Sequence, residues 1–124
     1  MLVYQKLTER IIGAALAIHK NLGPGLLESA YEECLAYELR ERGMPIDRHQ
    51  AVPVVYEKVR LDCGYRIDIL VEKSVIVELK SVDVLLPVHA AQILTYMKFA
   101  RKSIGLLINF NVKLLKDGLK RFVM

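Results

Sequence analysis

Cysteine is scarce in this chain of 124 residues: Cys34 and Cys63 lie far apart, with no CxxC pair and no neighbouring histidine. That excludes a zinc-finger spacing and a disulfide framework, and both thiols read as small buried hydrophobes. Long apolar runs are missing too. The stretch Ile11 to Ile18 is broken by Gly13 and falls well short of the ~20 residues a membrane-spanning helix needs. The opening MLVYQKLTER lacks the charged-then-apolar layout of a signal peptide, so a cytoplasmic protein is expected. His19, His49 and His89 are too scattered to suggest a transition-metal cluster. No repeat, low-complexity tract or linker divides the chain. No basic tail, helix-turn-helix pattern or aromatic-basic interleaving marks a nucleic-acid footprint.

What is present fits one domain spanning residues 1–124, since 53% hydrophobic residues supply a sizeable core at this length. Eighteen basic against fourteen acidic residues give a net charge of +4, a mild hint of a polyanionic partner. Arg40, Arg42 and Arg48, or Lys98, Arg101 and Lys102, are the groups able to reach phosphates. Such residues are more often a solvated surface.

The first third has helical spacing. Apolar residues recur from about Val3 to Asn21, and Gly23-Pro24 stops that helix. A second helix, GLLESAYEECLAYELRERG, sets Leu27, Ala30, Tyr31, Cys34 and Leu35 on one stripe and ends on a basic turn before Gly43. After Pro45 the period changes to that of strands. AVPVVYE, VRLDCGYRIDILV and VIVELK, broken by polar stretches at Glu57-Lys58 and Glu72-Lys73-Ser74, predict three antiparallel strands. PVHAAQILTYMKFARK returns to helix with Pro87 in its first turn, SIGLLINF has the length and continuity of a buried strand, and LKRFVM supplies one more. The order is ααβββαββ. A strand, crossover helix and strand make a parallel pair, so an α/β fold with a mixed β-sheet flanked by α-helices is expected.

The segment RIDILVEKSVIVELK carries the chemistry. A three-residue turn, Glu72 to Ser74, pairs Val71 with Val75, Leu70 with Ile76, Ile69 with Val77 and Asp68 with Glu78. Alternation puts Ile67, Ile69, Val71, Val75, Val77 and Leu79 on one face, and Arg66, Asp68, Glu78 and Lys80 on the other. Opposed like charges, roughly 5 Å apart at their β-carbons, need a cation between them. Two readings stand. Lys80 and Arg66 neutralise the acids in a salt-bridge cluster without chemistry, or a hard divalent cation such as Mg²⁺ or Mn²⁺ binds there, with Lys80 near its water.

Asp68 followed by Glu78-Leu79-Lys80 resembles the D…ExK signature of the PD-(D/E)XK nuclease superfamily. Gly25-Leu26-Leu27-Glu28-Ser29-Ala30-Tyr31 has the form GxxExxY, and together with YRIDILV, VELKSV, AAQILTY and GLLINFNV it resembles the small bacterial GxxExxY protein family over nearly the whole chain. The resemblance implies a restriction-endonuclease-like core and Mg²⁺-dependent hydrolysis of phosphodiester bonds, in DNA ahead of RNA. By the same resemblance Asp68, Glu78 and the Leu79 carbonyl ligate the metal, Glu28 adds a carboxylate to the metal or its waters, Lys80 positions the attacking water, and Gln92 helps orient the site. The superfamily usually has proline before its Asp; here Ile67 stands there. A 14.1 kDa core needs a second copy to cut both strands, which makes a homodimer plausible. The competing expectation is a non-catalytic module that keeps the fold and binds nucleic acid or protein.

Overall fold

The computed structural model describes residues 4–61 and 64–124; Val3 and Cys63, named above, lie outside the described residues. Helix α1 (Gln5–Leu22) buries Ile11, Ala14, Ala15 and Ile18, an i, i+3, i+4, i+7 stripe, and ends where Gly23 takes φ +66°. Helix α2 (Glu28–Glu41) packs its Tyr31, Leu35 and Leu39 against the same cluster. Strands β1 (Ile46–Ala51), β2 (Val54–Tyr56), β3 (Val59–Leu61), β4 (Arg66–Val71) and β5 (Val75–Lys80) follow. Helix α3 (Pro87–Ala100), strand β6 (Ile104–Asn109), a 3-10 turn at Leu115–Gly118 and strand β7 (Leu119–Val123) complete the order.

The main sheet runs β1-β4-β5-β6-β7. Its β5–β6 pair is parallel and spans the α3 crossover, while β1–β4, β4–β5 and β6–β7 are antiparallel. Helices α1 and α2 cover one face over Ile69, Val71, Val77 and Leu106; α3 covers the other over Leu70, Ile76 and Leu107. Both faces being covered explains why SIGLLINF is apolar at nearly every position. Gly105 lets α3 come close: a β-carbon there would meet Met97 Sδ at 2.8 Å and Ile93 Cδ1 at 3.0 Å. This is the restriction-endonuclease-like α/β architecture expected from the sequence, with five strands in its main sheet among the described residues.

The region after Pro45 differs in detail from the three strands expected there. IDRHQA, outside the three expected strands but for its last residue, forms edge strand β1, half-buried to exposed along its length. It has a single ladder partner, so nothing demands apolar alternation. AVPVVYE is cut at Val52-Pro53, because proline cannot donate to a ladder; its second half pairs with β3 as a separate hairpin, Val54 opposite Leu61.

The β4–β5 register is the one read from the turn, with Val71 opposite Val75 and Ile69 opposite Val77. Two expectations fail beyond that point. The ladder stops before Asp68 and Glu78 can pair, and Ile67 packs on the α3 side rather than beside Ile69. The cause is local. The β1–β4 ladder also skips its His49–Asp68 position, where His49 takes φ +55°, and an interrupted strand resets which face each side chain meets.

Candidate functional site

The break in pairing is filled by carboxylates. The Asp68 N–H donates to Glu78 Oε2 at 2.7 Å, and the Leu79 N–H donates to Asp68 Oδ2 at 2.9 Å. Each acid therefore replaces a missing ladder partner with one oxygen. The other oxygens, Asp68 Oδ1 and Glu78 Oε1, accept no hydrogen bond from the described residues and are not sealed from solvent. In an extended strand the N–H and C=O of one residue face the same neighbour, so the Leu79 carbonyl also turns toward β4 and Asp68.

Two further acids approach from α2. Tyr31 stacks on Phe110 with ring centroids 4.5 Å apart, donates its hydroxyl hydrogen to the Gly23 carbonyl at 2.5 Å and accepts from the Leu26 N–H. Ser81, just past β5, donates to the Leu26 carbonyl at 2.6 Å. These bonds fix the Gly23–Leu26 turn, and with it the first residue of α2, against the end of β5. Glu28 Oε1 consequently lies 4.0 Å from Lys80 Nζ. One helical turn on, the buried Glu32 takes two hydrogen bonds from Arg48 and lies 2.8 Å from His49 Nε2.

Electrostatics mark the pair as short of positive charge. Glu78 is 4% exposed; burial, then the neighbouring Asp68 charge, pushes its carboxyl up to about 8, against the weaker pull of the Asp68 N–H and Lys80. Burial raises Asp68 to about 6, with Glu32 and Glu28 adding to the shift and the Leu79 N–H opposing it. The salt-bridge expectation required Lys80 and Arg66 to neutralise these acids. Instead Lys80 approaches Glu28, and Arg66 Nη1 donates to the Tyr65 carbonyl. Among the described residues neither base forms an ion pair with Asp68 or Glu78.

A hard cation fits this chemistry: two carboxylates with an open oxygen each, and a carbonyl turned the same way. Among the described residues no three His, Cys, Asp or Glu side chains are grouped so as to hold an ion, so Glu28 does not join Asp68 and Glu78 as a third ligand.

On α3, Gln92 Nε2 donates to the Tyr96 hydroxyl at 3.1 Å. Burial, then the charge of Glu78, raises the Tyr96 hydroxyl above its ordinary value. Asp68, Glu78, Lys80 and Glu28 thus converge, with the Gln92–Tyr96 pair bordering the acids from the opposite helix. His89 Nδ1 accepts the Leu86 N–H at the start of α3, and His19 bonds the Val112 carbonyl, so both have structural partners. Asn109 bonds both the N–H and the carbonyl of Val82 and so fixes the chain after β5. Arg48, a suggested phosphate contact, is committed to Glu32 and Glu33. Glu32 and His49 carry no motif that sequence reading could have used. The available signal for Glu32 was its helical i+4 spacing from Glu28, which puts both on one face.

Comparison with known proteins gives one finding of family: the model of the PD-(D/E)XK nuclease superfamily matches residues 5–122. No curated protein and no solved structure matches the chain.

Proposed function

The chain belongs to the PD-(D/E)XK nuclease superfamily, and from that premise we propose that it hydrolyses phosphodiester bonds in DNA with a divalent cation, Mg²⁺ or Mn²⁺, held at the β4–β5 break. The observation that carries this reading is the buried Asp68–Glu78 pair, each acid anchored by one oxygen with the other open and, among the described residues, no base paired to either. The GxxExxY pattern supports a finer placement, since its tyrosine fixes the turn that delivers its glutamate to Lys80.

Asp68, Glu78 and the Leu79 carbonyl would hold the ion, and Glu28 would accept hydrogen bonds from its waters. Such an ion lowers the pKa of bound water and offsets charge gathering on phosphate. Lys80 orients the attacking water for in-line displacement and meets the developing negative charge. Glu28 holds the Lys80 ammonium in place. Gln92, braced by Tyr96, presents its amide to the water or the phosphate. No helix among the described residues is long and apolar enough to cross a membrane.

The test is cleavage of single-stranded and duplex DNA with Mn²⁺ by Glu78→Ala and Lys80→Ala. Both should lose cleavage by at least about a hundredfold while circular dichroism shows the wild-type fold. Unchanged cleavage in both folded variants refutes the assignment.

A further inference from the structure

On the α3 side of the sheet, from the β4–β5 turn to Ile67, lies a groove of about 740 Å³ floored by Ile67 and Leu70 of β4. A second recess of about 470 Å³ adjoins it and shares Gln50, Ala51, Pro53 and Arg60. Among the described residues they gather Arg60, Arg66, Lys73, Lys98, Arg101 and Lys102, with the acid Asp47 in the first lining.

A helix C-terminus favours cations, so Lys98, Arg101 and Lys102 at the end of α3 have a partly structural reason to be there. The dipole does not reach the β2–β3 hairpin, the β4–β5 turn or β4 itself, which contribute Arg60, Lys73 and Arg66 from three separate places in the sequence. Lys73 spends part of its charge on Asp47 at 3.4 Å; Lys98 and Arg101 stay exposed. The lining runs along β4 to Arg66 and Ile67, the two residues before Asp68.

We propose that this groove is the track for the backbone of one DNA strand, holding the phosphates on one side of the bond placed at Asp68 and Glu78. The proposal deepens the nuclease reading and rests on it for the scissile bond, while the binding surface stands on its own charge. The sheet separates the two tasks: bases collect where phosphates only bind, and acids where a cation is needed.

The measurement is fluorescence anisotropy with a fluorescein-labelled single-stranded DNA of roughly 20 nucleotides, longer than a typical single-domain footprint, in chelator and across a salt series. The groove variant combines Lys98→Ala, Arg101→Asn and Lys102→Ala; asparagine is used because Arg101 sits at φ +57°, where it is tolerated. The control removes equal charge from exposed Lys6, Lys20 and Lys116, each to Ala. The groove variant should bind about tenfold or more weakly, with its salt slope shallower by about two, and the control should stay within about twofold. Lys98→Glu alone, on an exposed helical position, should weaken binding in the same direction. Wild-type affinity in the groove variant, equal loss in the control, or no DNA binding by the wild type overturns the groove. RNA of the same sequence bound tenfold more tightly than DNA overturns the choice of strand. Cleavage is scored separately. Groove-dependent binding without cleavage by the wild type keeps the track and refutes the nuclease; cleavage with unaltered binding by the groove variant does the reverse.

Discussion

Glu78→Gln should make the metal-free protein more stable and leave it without a metal site. The Glu78 carboxyl rises from 4.5 to about 8 on folding, burial being the first cause and Asp68 the second. A raised acid binds its proton more tightly in the folded chain than in the unfolded one. Folding therefore loses stability as pH climbs from 4.5 toward 8, and the loss is complete above 8. At pH 7 the penalty is roughly 3 kcal/mol, from about 1.4 kcal/mol for each pH step above the unfolded value. Glutamine cannot ionise, and its amide oxygen can still accept the Asp68 N–H. Burying the amide's unmatched hydrogens returns about 1 to 2 kcal/mol, leaving a net gain of about 1 to 2 kcal/mol at neutral pH. For a chain of this size that is a melting-temperature rise of roughly 3 to 8 °C. Thermal melts by circular dichroism in chelator, from pH 4.5 to 9, give the test. The gain should be largest above pH 8 and shrink toward 4.5, while Mn²⁺ raises the melting temperature of the wild type alone. A variant no more stable than wild type at high pH, or a gain independent of pH, would refute the electrostatic reasoning.

Tyr31→Phe retains the stack on Phe110 but leaves the Gly23 carbonyl and Leu26 N–H without their partner; a loss of about 1 kcal/mol is expected. Cleavage should fall as well, because the same turn delivers Glu28 to Lys80, and full activity would dissociate the tyrosine from the site. Gly118→Ala puts a β-carbon 2.2 Å from the Asn109 carbonyl oxygen, so the turn into β7 must shift. Denaturant unfolding should show a cost of about 1 to 3 kcal/mol, and an unchanged midpoint would contradict that contact.

Elements with strong period were legible in the sequence. The α1 stripe, the continuous apolar run of β6 and the three-residue β4–β5 turn each have a local physical cause, and the turn alone was enough to set Val71 against Val75. Edge strand β1 was not legible, since a strand with one neighbour and a wet face need not alternate. The candidate site was legible as residue types at a spacing, Asp68 with Glu78 and Lys80. Its geometry was not. Extending the ladder by rule makes Asp68 and Glu78 a cross-strand pair, whereas His49 at φ +55° and the side-chain-to-backbone bonds end the ladder one step earlier. Glu32 stayed hidden because its place beside Asp68 depends on how α2 crosses the sheet, a tertiary fact that no local pattern encodes.

That early end to the ladder explains why the acids are usable at all. Had both ladders continued past their breaks, the Leu79 N–H would have paired with the backbone of β4 and the Asp68 N–H with β1, and both side chains would be free to turn to solvent, where water would screen their repulsion. With pairing stopped, one oxygen of each acid is needed by the opposite backbone: the Asp68 N–H requires Glu78, and the Leu79 N–H requires Asp68. The side chains cannot leave without orphaning a buried donor, which costs about as much as a lost hydrogen bond. Repulsion between them is thereby built into the backbone of the sheet, and under the proposed function a cation would relieve it without any side chain having to move into place. The stability given up at the acidic pair is then what that proposed ion would recover.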